Sequence, residues 1–291
     1  MNWQAFSQTL QTQFDLDLHI ETASPVGGGD IHQAFHLKTS QGSFFLKMNH
    51  AAAAPMFQTE MNSLKTLAET LVINIPNPIA TGIFEKRAWL LMDYLEIVHR
   101  GDDTLRGKDL ALLHHQVEQQ KRFGWYENNY IGNTPQSNDW SSDWVEFYAQ
   151  QRLMPQLTLA HENGGADQLI ELGHRLIEVL PKFFEHYQPE PSLLHGDLWG
   201  GNSGFLSTGE AVFFDPASYY GDRETDLAMT ELFGGFSSEF YQGYEEVFPL
   251  DPGYAQRKPL YNLYHILNHF NLFGGGYQTQ ALNLIQHLLH A

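Results

Sequence analysis

The hydrophobic periodicity of the chain changes once, near residue 94, and that change limits the architecture more than any other feature. Before it, apolar residues come in short strand-like runs: Leu18-His19-Ile20, Ala34 to Thr39, Ser43 to Met48, Ile79 to Phe84 and Ala88 to Met92. Ser40-Gln41-Gly42 is the turn of one hairpin. A helix opens the chain over 1–14, with Trp3, Phe6, Leu10 and Phe14 on one face. A second is expected from about Ala53 to Thr70, where Phe57, Met61, Leu64, Leu67 and Leu71 recur at three or four; Pro76 and Pro78 then break the chain. After residue 94, long helical patterns fill 106–123, 141–161 and 166–187, with Pro155 marking a bend or break. Short strands and loops occupy 192–222, and helices return at 223–246, 257–273 and 277–290. The expected class is therefore α+β. A small β-rich lobe with one internal helix spans 1–94, and a larger, mainly helical lobe spans 95–291. There is no internal repeat.

Charge narrows the partners. The 291 residues carry a formal net charge of −18, with only 16 Lys and Arg. A nucleic-acid or anionic-membrane partner needs a basic face, so neither is expected. Any phosphate site must be built locally, from backbone N–H groups, metal ions and one or two placed cations. The absence of cysteine excludes disulfides, thiolate nucleophiles and thiolate-bound zinc. Met1-Asn2-Trp3-Gln4-Ala5-Phe6 has neither the basic nor the apolar segment of a signal peptide, and no run reaches the roughly 18 apolar residues that span a bilayer.

One stretch carries most of the chemistry: His195-Gly196-Asp197-Leu198-Trp199-Gly200-Gly201-Asn202, entered from the apolar Ser192-Leu193-Leu194. Asn202 follows Asp197 by five positions, and Val212-Phe213-Phe214 leads to a second carboxylate, Asp215, thirteen residues later. An acid, an amide and an acid, each near the end of an apolar run, suit oxygen-loving metal ions and an activated hydroxyl, the equipment of phosphoryl transfer. Asp197 is placed to accept a hydroxyl proton, and Asn202 and Asp215 to hold Mg²⁺. Any one of them alone is equally an Asp or Asn capping a turn. His195 reads as a packing residue.

Gly27-Gly28-Gly29 lies between two strands, where backbone N–H groups can meet phosphate. A plain glycine turn is the ordinary alternative. No Gly-Lys-Ser/Thr follows, so it is no P-loop, and a strand rather than a helix comes next, so it is no dinucleotide fingerprint. Lys47 ends an apolar strand, and Glu60 on the next helix is its natural partner. Such a pair holds an ammonium over phosphates; a solvated lysine and a surface glutamate are the bland alternative. Asp222 can cap the helix that follows it or contact substrate, Asp226 can tie down the Asp197 loop, and Arg223 is either a local ion pair or a substrate contact. The stretch Trp125 to Gln136, with Trp140, is rich in amides and flat rings, a composition suited to polar, sugar-like ligands. Trp199 sits beside the candidate base, where it is a candidate substrate wall. The fifteen histidines, His114-His115 among them, form no metal signature.

These motifs together resemble the fructosamine kinase family, a branch of the kinase-like phosphotransferases that includes aminoglycoside and choline kinases. The likeness runs nearly end to end and is most specific in Leu194 to Asn202, in Asn129-Tyr130-Ile131-Gly132 with Thr134-Pro135-Gln136, and in Asp215-Pro216-Ala217 with Tyr220 to Glu224. It implies a two-lobed protein-kinase-like fold with ATP in the cleft. It implies Lys47 as the phosphate-contacting lysine with Glu60 as its partner, Asp197 as base, Asn202 and Asp215 as Mg²⁺ ligands, and Met92-Asp93-Tyr94-Leu95 as the hinge that reads adenine. Asp215-Pro216-Ala217 stands where protein kinases have Asp-Phe-Gly, and no Ala-Pro-Glu follows, which suits a small-molecule kinase. Some members carry an oxidation-sensitive cysteine in the glycine turn; this chain has Asp30 in that turn and no thiol.

The activity implied is ATP- and Mg²⁺-dependent phosphorylation of a ketosamine sugar hydroxyl, on fructosamine or on ribulosamine and erythrulosamine. The product breaks down and frees the amine, a repair of glycated protein or metabolite. The substrate is a small-molecule or protein-bound ketosamine, and the protein a cytoplasmic monomer or weak dimer. Other readings are a kinase for an aminoglycoside or amino alcohol, a nucleotide-binding pseudokinase scaffold and, less suited to the glycine turn, a metal-dependent hydrolase.

Overall fold

The computed structural model describes residues 1–27 and 32–290, so Gly28, Gly29 and Asp30 lie outside the described residues. Contacts divide the chain into two compact units, Met1–Gly101 with Gly204–Phe214, and Asp102–Ser203 with Asp215–Ala291.

The first unit opens with α1 (Trp3–Phe14), where Asn2 accepts the Ala5 N–H at 3.1 Å as N-cap. Strands β1 (Ile20–Val26), β2 (Gln33–Thr39), β3 (Gly42–His50), β4 (Pro78–Phe84) and β5 (Arg87–Asp93) form one antiparallel sheet in the order β1-β2-β3-β5-β4. Helix α2 (Ala54–Glu69) lies between β3 and β4 in sequence. Strand alternation sends Leu46 and Met48 into a core with Phe6 and Leu10 of α1 and with Trp89 and Leu91. It sends Phe45, Leu90 and Met92 to the opposite core, with Phe57 and Leu64 of α2. A sheet covered on both faces needs apolar residues on both, which is why Phe44-Phe45-Leu46 reads as a continuous run. Phe6 and Phe14 meet Trp89 edge-on at 5.3 and 5.1 Å, the geometry aromatic quadrupoles favour.

The second unit is mainly helical. Its elements are α3 (Asp103–His114), β6 (Asn129–Ile131), β7 (Thr134–Gln136), α4 (Trp144–Tyr148), α5 (Met154–Glu162), α6 (Asp167–Val179), β8 (Ser192–Leu193), β11 (Tyr220–Gly221), α7 (Glu224–Leu232), α8 (Ser238–Val247), α9 (Tyr254–Phe273) and α10 (Tyr277–His290). Helices α3 and α8 touch backbone to backbone: a Cβ on Gly107 would meet the Phe240 carbonyl, and one on Gly243 the Thr104 carbonyl.

The short strands β9 (Ser203–Phe205) and β10 (Ala211–Phe213) pair with each other, and nearly all of their hairpin belongs to the first unit. Phe205 exchanges both backbone bonds with Val98, and Asn74 donates its amide to the Ala211 carbonyl at 3.0 Å.

The α+β expectation holds: a β-sheet N-terminal region is followed by a helical one. Two helices differ from their periodicity. The one expected over 106–123 stops at His114, because Gln116 and Val117 pair with Ser192 and Leu193 as extended chain. The one expected over 223–246 is two, broken at Gly234 and Gly235, whose φ values of 102° and 73° no helix accommodates. The expected bend or break at Pro155 is a change of helix type within a helical run that continues over 144–162. A π-helical turn, Ala149–Leu153, precedes it, and the Gln151 carbonyl that Pro155 cannot satisfy is taken by the Arg152 guanidinium at 2.9 Å. Among the described residues no helix is long and apolar enough to cross a membrane.

Candidate active site

In the first unit, Lys47 lies on β3, the central strand of the sheet, in register with Ala34 of β2 and Leu90 of β5. It shares the α2 side of the sheet with Phe45, and its Nζ meets Glu60 Oε1 at 2.5 Å. Their side chains are only 7% and 10% exposed, so the charges are largely withdrawn from water and depend on each other. Met92 and Asp93 end β5. Burial raises the Asp93 carboxyl above its ordinary value, against a hydrogen bond from Asn77. Tyr94 follows, its ring stacked on His36 at 3.7 Å, and Leu95 is half-buried beyond it. Among the described residues nothing lies within 4 Å of where a Cβ on Gly27 would stand.

In the second unit, β8 and β11 pair antiparallel and bring the ends of the 194–219 segment together. Two further backbone bonds extend that seam, Leu194 N to Tyr219 O at 3.0 Å and Ala217 N to His195 O at 2.9 Å. Gly196, at φ 86°, lies against the Ala217 carbonyl with no room for a Cβ. The seam thus ties the residues before Asp197 to those after Asp215. Asp226, buried on α7, accepts the His195 N–H at 2.7 Å and the Gly196 N–H at 2.8 Å. The Asp197 loop is therefore held by its backbone, which leaves its side chains for chemistry.

Asn202 donates its amide to the Asp197 carbonyl at 2.9 Å and to Asp197 Oδ2 at 3.2 Å. The donor half of the amide is thereby committed to Asp197. Burial, and then the negative charge of Asp215, push the Asp197 carboxyl up to about 7, with Asn202 pulling the other way. Asp215 itself has φ 59°, a left-handed conformation that costs an aspartate energy and that the surrounding bonds impose.

The loop after Asp215 is braced from beneath. Asn129 of β6 donates to the Ser218 carbonyl at 2.8 Å. Gln136 of β7 donates to Asn129 Oδ1 at 2.8 Å and to the Ala217 carbonyl at 3.3 Å, and accepts from Tyr264 at 2.7 Å. Asn138 and Arg152 complete the set, joined at 2.7 Å. The amides expected to suit a sugar-like ligand are in fact buried and committed to the protein. Asn129, Gln136 and Asn138 are each 3% exposed or less.

The fructosamine kinase family model matches residues 2–291. The chain belongs to the fructosamine kinase family. A probable ketoamine kinase of Synechocystis is 44% identical over 291 residues, 99% of this chain and 97% of the relative. The chloroplastic protein-ribulosamine 3-kinase of Arabidopsis thaliana is 42% identical over 266 residues, 91% of this chain and 81% of the relative. A solved structure from Haemophilus somnus, named as a fructosamine-3-kinase candidate, superposes with a TM-score of 0.88 at 29% identity, covering 99% and 98% of the two chains. A choline kinase of Streptococcus pneumoniae, at TM-score 0.64 and 12% identity over 99% of each chain, shares the fold alone.

In this member of the fructosamine kinase family the remaining candidates have distinct surroundings. Trp199 is 38% exposed, its ring lying over Gly201 and edge-on to Phe233 at 6.3 Å. Trp140 is half-buried, with the Arg122 guanidinium over it at 4.6 Å. Asp222 is wholly buried: Tyr261 donates to it at 2.5 Å, Tyr187 at 2.9 Å and the Glu224 N–H at 3.0 Å. Arg223 lies over the Phe248 ring at 3.6 Å and donates to the Phe248 and Pro249 carbonyls. These two side chains therefore face protein groups rather than an open surface. Sequence reasoning missed His114, Tyr244 and Arg152. Their partners lie as far as 130 residues away, and no local pattern marks such pairs.

Proposed function

We propose that this chain is an ATP-dependent ketosamine kinase, which transfers the γ-phosphoryl group to a sugar hydroxyl of a ribulosamine, erythrulosamine or fructosamine. The observation that carries this reading is Asp197, raised to about 7 and held on one oxygen by Asn202. A base is most effective when its pKa lies near the working pH. Oδ2 is engaged, so Oδ1 accepts the hydroxyl proton. The hydroxyl oxygen bonds to the γ-phosphorus, the bond to the β-phosphate oxygen breaks, and ADP leaves. The family relatives named as ketoamine and ribulosamine kinases support the acceptor class.

The donor set fits Mg²⁺. Asn202 offers a carbonyl oxygen and Asp215 a carboxylate, both hard oxygen ligands. Bound there, Mg²⁺ would neutralise charge on the transferring group. On the nucleotide side, the candidates are the glycine turn at Gly27, Gly28 and Gly29, the paired Lys47 and Glu60, and the backbone of Met92 to Leu95. Trp199 and Trp140 are the candidate substrate rings. A cytoplasmic location completes the proposal.

An ATP-consumption assay across ribulose-, erythrulose- and fructose-derived lysine adducts, with aminoglycosides as comparison, tests it. Turnover of at least one ketosamine well above every aminoglycoside is expected. Turnover confined to aminoglycosides, or no transfer to any acceptor despite ATP binding, would overturn it.

A further inference from the structure

We propose that His114 is a positioning residue for phosphoryl transfer, locked as the neutral Nε2–H tautomer between Tyr244 and Asp226 so that it fixes the carboxylate holding the Asp197 loop. This rests on the transfer role of Asp197 proposed above.

Three helices of the second unit meet at this imidazole. His114 ends α3, Asp226 lies on α7 and Tyr244 on α8, and all three are buried. Nδ1 is 2.8 Å from the Tyr244 hydroxyl, and Nε2 is 3.2 Å from Asp226 Oδ2. Donor and acceptor roles follow by elimination. Arg223 has only donors, and it gives one to the Tyr244 oxygen at 3.1 Å. An ionised Asp226 can only accept, so the one proton of a neutral ring sits on Nε2 and points at Oδ2. Nδ1 is then bare and accepts from the Tyr244 hydroxyl, whose oxygen takes the Arg223 N–H. The opposite tautomer would set a bare nitrogen against a carboxylate oxygen.

Charge agrees with this assignment. Burial is the largest influence on His114 and holds it below its ordinary value, against the pull of Asp226. Asp226 stays below the usual carboxylate range although burial opposes it, chiefly through the hydrogen bond from His114. A neutral donor thus faces an ionised acceptor. Asp226 has four lone-pair directions, and two of them carry the His195 and Gly196 N–H groups. A rotation of the carboxylate would break both bonds and move the backbone on which Asp197 stands. The bond from His114 opposes that rotation.

Three measurements test the proposal. In the ¹⁵N spectrum of the wild-type protein, His114 is expected as the Nε2–H tautomer at neutral pH; the Nδ1–H form or an imidazolium would overturn it. His114→Phe is expected to lower kcat by about ten- to a hundredfold, with the KM for ATP and ADP affinity within about twofold. His114→Gln, which restores an N–H toward Asp226, is expected to recover much of that loss. A residue with only a packing role would instead lower Tm and leave kcat per folded molecule unchanged, and that result would overturn the proposal. Should His114→Phe not fold, Tyr244→Phe replaces it: Asp226 still holds the ring proton on Nε2, so the ¹⁵N pattern is expected to stay Nε2–H while loss of the second anchor lowers kcat; a shift to Nδ1–H, or an unchanged kcat per folded molecule, overturns the proposal. The tautomer is read without any acceptor, so failure of the ketosamine reading and failure of this one are separate results.

Discussion

The Ala217 carbonyl stands where a side chain on residue 196 would begin. Gly196, at φ 86°, is the point at which the Asp197 loop and the segment after Asp215 touch backbone to backbone. Gly196→Ala adds a Cβ that meets this carbonyl, in a conformation that already disfavours it. A destabilisation of about 1–3 kcal/mol is expected. Because the seam carries both carboxylates, kcat should fall further than the loss of folded protein explains. Chemical denaturation alongside kcat per folded molecule checks this; equal proportional losses would refute it.

Asp197 sets activity against stability. Asp197→Asn should lower turnover by about 10²–10⁴-fold while ATP binding is largely kept. The same change should stabilise the fold at high pH. The folded-state pKa is raised from 3.8 to about 7, so the folded protein holds the proton more tightly than the unfolded chain. The stability this confers is present in full below about pH 4 and is lost as pH rises to about 7. Above that, the ionised carboxylate is a burden that Asn removes. The Tm difference between variant and wild type should therefore grow from pH 4 to pH 8, and a constant difference would contradict the shift.

The pH–rate profile follows from the same shift. Transfer needs the carboxylate, so kcat/KM should fall as pH drops below about 7. The negative charge of Asp215 contributes to that shift, after burial. Raising Mg²⁺ should move the acid limb to lower pH, because a cation favours the charged forms. A limb insensitive to Mg²⁺ would separate Asp215 from the metal.

Lys47 and Glu60 should behave as a unit. Removing either partner takes the ion pair from a largely buried charge, so Lys47→Met and Glu60→Gln are each expected to cost about 3–5 kcal/mol. Lys47→Met combined with Glu60→Leu should regain stability while phosphoryl transfer stays lost. Additive losses in the double-mutant cycle would show that the pair is not coupled.

Gln136→Leu tests the brace under the Asp215 loop. It removes the Gln136 acceptor of the Tyr264 hydroxyl and weakens support of the Ala217 carbonyl, at a cost of about 1–3 kcal/mol. The concentration of Mg²⁺ giving half-maximal rate should rise, and an unchanged value would confine Gln136 to folding.

The sequence alone determined the class of fold, because strand and helix periods are local properties of burial. It also singled out Asp197, Asn202 and Asp215, whose intervals along the chain reflect chemistry that acts over a few ångströms. Lys47 and Glu60 could be paired in advance for a similar reason: a strand and the helix following it pack together, and Glu60 is the first acid of that helix. Tertiary structure alone decided what the polar motif residues do. Asn129 and Gln136 look like ligand-binding amides in a composition, yet they are turned inward to satisfy carbonyls of residues 217 and 218. Asp222 and Arg223 stand in a motif just after the Asp215 segment, yet their side chains are engaged with Tyr261, Tyr187 and the Phe248 and Pro249 carbonyls. His114 showed nothing at all in the sequence, since its meaning comes from Tyr244, 130 residues away, and Asp226, 112 away. Whether a polar side chain faces ligand or protein depends on which buried groups elsewhere still need a partner, and only the folded chain settles that balance.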